Sequence, residues 1–340
     1  MRKAIFKNGI KLEIVKAYLE EFRNYPSKTI ARIIAKRHPM IFDGIEDARD
    51  KVRYLRGNYG ETARKMAKDK RFFRSNKKPG NYFPEIPPAL SQYEEEWKIT
   101  NIDIEKALVL YDLHIPFQDK KAVERAVQYG LESNCLDLII AGDFLDCFSI
   151  SNFLRDITLI SYKEELEIGK NILKFLREKF SGNIYFKEGN HEERLESYLM
   201  LRAPDLLGIK NFSLKEILDL ENMQIKYIKD KRPLKIDKLY IIHGHEFVYS
   251  SYNPVNPARG YFLRSKVITL GGHYHQTSEH TETSMDGQLI TVWSTGCLCD
   301  LHPKYMPLNK WNHGFAVIDM TQKDRGFKVE NYRIINDEVL

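Results

Sequence analysis

Five short segments of this chain combine histidine, aspartate and asparagine with glycine at spacings suited to holding metal ions. They are Asp112-x-His114, Gly142-Asp143-x-x-Asp146, Gly189-Asn190-His191-Glu192, His243-Gly244-His245 and Gly272-His273-x-His275. Six of the ten histidines fall inside them, so this residue type is gathered rather than scattered. Carboxylate oxygens, imidazole nitrogens and an amide oxygen are borderline-to-hard donors. They suit divalent manganese, iron, zinc or nickel, not a thiolate-bound ion. The supply of donors is enough for two cations. Singly, Asp112 or Asp143 is as well read as a turn residue at a strand end; five segments of one character point to a shared site. The Asp-x-His spacing, repeated as His273-x-His275, would place alternate side chains on one side of an extended segment. Glycines 142, 189, 244 and 272 would let the backbone turn where the ligands converge.

Each segment follows directly on a short apolar run, at 107–111, 138–141, 184–186, 239–242 and 267–270. Amphipathic stretches at 122–132 and 164–180 read as helices between them. Such alternation predicts an α/β domain. In open sheets of this kind, ligands gather beyond the C-terminal ends of the strands. The five polar ends would therefore meet at one sheet edge. Residues 289–293 and 315–318 read as later strands, and 147–188 and 249–265 as walls of the site.

Taken in order, D-x-H, G-D-x-x-D, G-N-H-E, H-G and G-H-x-H resemble the signature of calcineurin-like metallophosphoesterases, over roughly residues 106–320. The resemblance implies a four-layer α/β/β/α sandwich and two-metal-dependent hydrolysis of phosphate esters. Carried over by motif position, it has Asp112, His114 and His275 bind one metal and Asn190, His243 and His273 the other, with Asp143 bridging both. His191 would contact the phosphate or protonate the leaving oxygen. Asp146 would orient that histidine or another ligand. Manganese is the expected ion, with iron, zinc or nickel as alternatives. His245 and Glu192 would be neighbours rather than ligands. No ligand of the family pattern is missing.

The rest of the sequence bounds this expectation. An apolar content of 43% supplies a core. No run of about 18 apolar residues occurs, so no membrane span is expected. The first 19 residues carry charges throughout, which does not fit a secretory signal. Four cysteines read as buried, reduced thiols in a cytoplasmic protein.

The net charge of +6 is unevenly spread: residues 1–80 hold 22 Lys+Arg against 9 Asp+Glu, and the remainder 31 against 38. A basic head on an acidic body suggests an appendage for polyanions. Its pattern is helical. Ile10, Ile14, Ala17 and Tyr18 recur at helix spacing. Ser27 reads as an N-cap before the stripe Ile30, Ile33 and Ile34, and a further helix runs from Gly44 to Gly57 on Ile45, Ala48, Val52 and Leu55. Arg49, Arg53 and Arg56 line up beside that last stripe. Two short helices with an arginine row loosely resemble a helix-turn-helix unit, so these arginines are the candidate nucleic-acid contacts; the plainer reading is a small helical domain with solvated arginines. Pro79, Pro84, Pro87 and Pro88 mark a linker. The expected organisation is a basic helical domain (1–75), a Pro-rich linker (76–103) and a metallophosphoesterase domain (104–340). The leading expectation is a phosphodiesterase or nuclease that reaches DNA or RNA through its basic head. The alternatives are a phosphomonoesterase or protein phosphatase, and a nucleic-acid-binding protein with a vestigial hydrolase body. The oligomeric state is not legible.

Overall fold

The computed structural model describes residues 2–59, 64–65, 70–73, 97–152, 160–247, 255–321 and 326–340. The chain divides into two compact units, Met1–Ala89 and Leu90–Leu340. Of the stretch read as a linker, 76–96 lies outside the described residues. Residues 97–103 are part of the second unit: Trp97 Nε1 donates to Asp230 O at 3.0 Å, and β1 (Thr100–Asn101) pairs with Leu234 and Lys235.

The first unit holds α1 (Arg2–Glu21), α2 (Ser27–Arg37) and α3 (Ile45–Leu55). Val15 and Leu19 of α1, Ile30, Ala31 and Ile34 of α2, and Ala48, Val52 and Leu55 of α3 close a core around Phe42. The helical period is the expected one, and Ile30, Ile34, Ala48, Val52 and Leu55 are buried as read, but the buried face of α1 is turned. Ile10 and Ile45 are exposed, and in α1 the inward row is Lys11, Val15 and Leu19. Lys11 is drawn in by Asp47 at 2.6 Å and Asp43 at 3.2 Å, so a salt bridge sets the rotation that apolar spacing alone left open. Ser27 is not a cap. It is the first helical residue after Pro26, and its Oγ accepts from Arg56 at 2.9 Å.

That contact corrects the arginine row. Arg56 is 1% exposed; its guanidinium donates to Ser27 Oγ and, at 2.8 Å, to Arg23 O. It lies four residues after Val52, on the buried face of α3. It ties the end of α3 to the start of α2 and is not available to nucleic acid. Arg49 pairs with Glu46 at 3.1 Å, and the exposed Arg53 lies over the Tyr59 ring.

In the second unit, among the described residues, one sheet runs in the order β13 (Glu338–Val339), β12 (Lys328–Ile335), β11 (His313–Asp319), β2 (Lys106–Leu110), β3 (Asp137–Ala141), β4 (Ile184–Lys187), β5 (Ile225–Ile228). Its β2 to β5 are parallel. The other runs β1, β6 (Leu234–Ile236), β7 (Leu239–Ile241), β8 (Thr269–Gly271), β10 (Leu289–Ser294), β9 (Ser278–Thr283), with β7, β8 and β10 parallel.

Side chains alternate across each strand. Val109, Ile139 and Ala141 of the first sheet, with Tyr111 just beyond β2, share one core with Leu234, Ile236, Leu239, Ile241 and Leu270 of the second. On the outer face, Leu108, Leu110, Ile140 and Phe186 pack under α4 (Lys120–Glu132) and α5 (Tyr162–Lys179). Leu195 and Leu199 of α6 (Glu193–Arg202) and Leu214 of α7 (Leu214–Ile217) join them. The second sheet is covered by Ala258, Tyr261 and Phe262 of α8 (Pro257–Ser265). The order of layers is α/β/β/α, as expected. No helix among the described residues is long and apolar enough to cross a membrane.

Arg56→Ala is expected to destabilise the first unit by about 2–3 kcal/mol, because it strips buried acceptors of a charged donor. Arg53→Ala should stay within about 0.5 kcal/mol. Denaturant unfolding of the full-length variants measures both; equal effects would contradict the structural role of Arg56.

Candidate metal centre

The five segments do not share one sheet edge. Three follow β2, β3 and β4 of the first sheet, and two follow β7 and β8 of the second. Stacking the two sheets brings their strand ends together. Asp112 Oδ1 lies 3.1 Å from His243 Nε2 and 3.4 Å from His275 Nε2. Asp143 Oδ2 lies 3.5 Å from His243 Nε2 and 3.7 Å from both His114 Nε2 and His191 Nε2. His114 Nε2 and His275 Nε2 face each other at 3.2 Å. His273 joins Asp143 and His243 in one group of donor atoms. Asn190, next to His191, aims a buried Oδ1 that has no hydrogen-bond partner.

The backbone is not extended at these positions, contrary to the reading of the Asp-x-His spacing. Asp112, His114, Asp143, His273 and His275 have φ of 53°, 48°, 48°, 69° and 57°. Left-handed backbone is uncommon for residues with a Cβ, although Asp and His tolerate it better than most. It costs about 1–3 kcal/mol per residue and persists where surrounding bonds hold it. Here buried carboxylates brace the loops that carry these residues. Glu192 accepts from the amides of Asp143 (3.1 Å), Leu145 (2.8 Å) and Gly189 (2.7 Å). Glu246 accepts from His243 N (2.9 Å) and Gly244 N (2.6 Å) and is paired with buried Lys187 at 2.7 Å. Asp112 Oδ2 takes the His273 amide at 2.8 Å, and Asp143 Oδ1 the His191 amide at 2.9 Å. The ligand residues thus make turns alongside Gly142 (φ 111°) and Gly244 (φ 127°), and Gly189 serves a different need. A Cβ there would sit 2.1 Å from Asp143 Oδ1, so its hydrogen atom permits close approach.

The ring orientations favour metal binding. Asp146 Oδ1 accepts from His114 Nδ1 at 2.9 Å and lies 3.2 Å from His191 Nδ1, which also donates to Asp146 O at 2.8 Å. A proton held on Nδ1 leaves the Nε2 lone pair facing the cluster. Burial pushes the His191 and His243 imidazoles down to about 3 and His273 to about 4, so these rings are neutral donors. Burial would raise Asp112, but His275 and His243 outweigh it and hold that carboxyl well below its usual range. Burial would also raise Asp146, and its bonds to His114 and His191 reverse that. Asp143 is pushed up by burial and by the nearby charges of Glu192 and Asp112. Its surroundings supply too little positive charge, which a divalent cation would provide. The orphaned Asn190 oxygen and the inward lone pairs fit the same ion type.

Three overlapping donor groups emerge: His114 with Asp143 and His191, Asp143 with His243 and His273, and His114 with His275 and Cys299. The third includes a residue the sequence reading treated as packing. Cys299 follows β10, a sixth strand end parallel to β8, and its Sγ lies 3.9 Å from His275 Nδ1. The thiol is raised by its hydrogen bond with Cys297 and by burial. The Cys-x-Cys pair after an apolar run was the available signal. Arg194, the second residue of α6, reaches His191 Nε2 at 3.0 Å and Asp146 O at 2.8 Å. His245 lies beside His243 at 2.9 Å and bonds Glu193 at 3.0 Å. Of the residues read as site walls, 153–159 and 249–254 lie outside the described residues. Arg49, Arg53 and Arg56 belong to the first unit.

Two stacked sheets between helical layers, with donors on the loops after their parallel strands, form a recognisable architecture. It is the four-layer α/β/β/α sandwich that the motif resemblance implied. No family model matches the chain. It is 24% identical over 227 residues to the Gene 54 protein of Mycobacterium phage L5, spanning 63% of this chain and 88% of that protein. The Gene 54 protein of Mycobacterium phage D29 is likewise 24% identical, over 226 residues, with the same coverage. Similar solved structures include wild-type Vps29 complexed with zinc from Entamoeba histolytica (12% identity, TM-score 0.36, covering 69% of this chain and 96% of that one). A metallophosphoesterase from Sphaerobacter thermophilus is also similar (14%, 0.37, 68% and 89%). These likenesses concern fold and do not extend to activity.

Asp143→Asn should lower the metal content of the purified protein, because one carboxylate faces imidazoles from both sheets. Elemental analysis after dialysis checks this; two tightly held ions in the variant would contradict it.

Proposed function

We propose that this protein is a two-metal-dependent phosphodiesterase directed at nucleic acid, a nuclease. The observation that carries the hydrolytic part is the meeting of Asp112 and Asp143 with imidazole nitrogens from both sheets, with the unpartnered Asn190 oxygen on the adjoining loop. Two divalent cations, manganese foremost, would neutralise a phosphoryl group and make water acidic enough to attack near neutral pH. In this assignment Asp112, His114 and His275 would hold one ion, Asn190, His243 and His273 would hold the other, and Asp143 would serve both.

The chain's own residues supply the rest. His191 stands at the edge of the cluster with Nδ1 anchored on Asp146 and Nε2 taking a hydrogen bond from Arg194, a pair that would meet a phosphoryl group bound there. Arg194 would meet the phosphate oxygens, as guanidinium forks do well. Asp146 keeps His114 and His191 in fixed orientation and touches no substrate itself.

Support for a nucleic-acid substrate comes from the first unit. With Arg56 buried, its outward charge rests on other residues. Lys28, Arg32 and Lys36 are exposed at four-residue intervals along α2, hence on one helical face. Arg53 is exposed on α3. A basic surface of this kind gains affinity for DNA or RNA by counterion release. The four cysteines are free and buried, which suits a reducing cytoplasm.

His191→Ala is expected to retain metal while turnover of bis-p-nitrophenyl phosphate falls about 10²–10⁴-fold; full activity would remove His191 from the mechanism. Faster hydrolysis of the corresponding mono-ester by the wild type would favour a phosphomonoesterase instead. Reversing Lys28, Arg32 and Lys36 to Glu in the full chain should weaken a gel shift with DNA and flatten its salt dependence. An unchanged shift would take nucleic acid away from this face.

A further inference from the structure

After Cys299 the chain leaves the cluster and comes back to it through residues 300–312. Its far end is anchored at the site. The Trp311 ring lies 4.2 Å from that of His275, and Asn312 N donates to His275 O at 2.9 Å. Its near end is anchored too, with Asp300 N donating to Phe117 O at 2.9 Å. Between these points the loop is braced from inside. Asn309 Nδ2 donates to Leu301 O (2.6 Å) and Met306 O (2.8 Å), and His302 Nδ1 to Pro307 O (3.1 Å).

A loop fixed this firmly nevertheless presents a large aromatic ring to solvent. Tyr305 is 74% exposed, with its ring centroid 6.4 Å from that of Trp311. Trp311 in turn lies against the His275 ring, so Tyr305 stands one aromatic ring away from the cluster. Lys304 and Lys310 are exposed on the same loop. Exposed aromatic faces interleaved with cations are the means by which proteins hold unpaired bases and their phosphates. A duplex hides those base faces, and a phosphoprotein has none to offer.

We propose that Tyr305 is a stacking surface for an unpaired base next to the phosphate processed at the metal centre, with Lys304 and Lys310 against flanking phosphates. The substrate class is single-stranded nucleic acid. This rests on reading the cluster as a nucleic-acid phosphodiesterase, and it adds which form of nucleic acid is taken.

The test uses the full-length, manganese-loaded protein. Tyr305→Ala should raise KM for a single-stranded oligonucleotide roughly 10- to 100-fold, the range expected for one lost base–aromatic stack, with metal content unchanged. Tyr305→Phe, which keeps the ring, should restore KM. On an abasic strand of equal length the wild type should already show the raised KM, and Tyr305→Ala should add nothing. A Tyr305→Ala protein indistinguishable from wild type on the normal strand, or an equal loss on both strands, overturns the proposal. So does a wild-type preference for duplex. Wild-type turnover of bis-p-nitrophenyl phosphate separates the two levels. Turnover there with no Tyr305 effect sinks the stacking surface alone. Without any turnover the hydrolase reading fails, and strand affinity by fluorescence anisotropy decides: weakening by Tyr305→Ala supports the surface, and equal affinity overturns it.

Discussion

Two buried carboxylates, Asp112 and Asp143, stand within reach of the same imidazole nitrogen, His243 Nε2, at 3.1 and 3.5 Å. Charges of one sign brought this close in a low-dielectric interior repel strongly unless a positive charge answers them. The neighbouring groups answer them unevenly. His275 and His243 favour the ionised form of Asp112, whereas Asp143 faces Glu192 as well and is pushed toward its neutral form. A site that concentrates acceptors, keeps the His191, His243 and His273 imidazoles neutral and leaves one carboxylate short of partners is shaped around cations. The rest of the second unit can be understood as the scaffold that holds those acceptors together.

Holding them takes more than strand ends. The parallel strands of two sheets deliver the segments, and the interior between the sheets fixes their separation. The last few ångströms are set by left-handed turns at the ligands themselves. Glu192 holds the turn at Asp143 by collecting backbone amides from the loops after β3 and β4, and Glu246 holds the His243–Gly244 turn after β7. Lys187 then neutralises Glu246 from the end of β4. A carboxylate that binds amides rather than metal thus decides where the metal-binding carboxylates point. Preorganisation of this kind matters because a ligand displaced by a fraction of an ångström loses much of its worth to an ion.

The layered fold and the donor segments were legible because their signals are local: apolar runs of strand length, each with polar ligand types immediately after. What could not be read depends on partners far apart in sequence. The inward rotation of α1 follows from Lys11 meeting Asp43 and Asp47. Arg56 belongs on a charged surface by composition, yet Ser27 and Arg23 give its guanidinium buried acceptors. The turns at Asp112 and His114 defeat an argument from alternating side chains, because that argument assumes an extended backbone and φ there is positive. Cys299 was read by residue type alone. It nears His275 because β10 lies parallel beside β8, and strand order within a sheet is not written in either strand.

A metal centre of this composition has little means of choosing among phosphate esters. The cations meet the phosphoryl group, which all such esters share, and interactions that are equal for every substrate cannot discriminate. Selection must come from groups that touch what differs, namely the substituents on the phosphate. Around this cluster those groups are unlike one another. Arg194 is turned toward His191 and the phosphate space, whereas Tyr305 and Trp311 offer ring faces on a braced loop beyond it. The basic row of α2 belongs to a separate unit and can only raise the local concentration of a polyanion. Under the proposed function, contact with the chemistry, contact with the base and capture of the strand would fall to three different parts of the chain. A change in one can alter rate, selectivity or salt dependence without disturbing the other two.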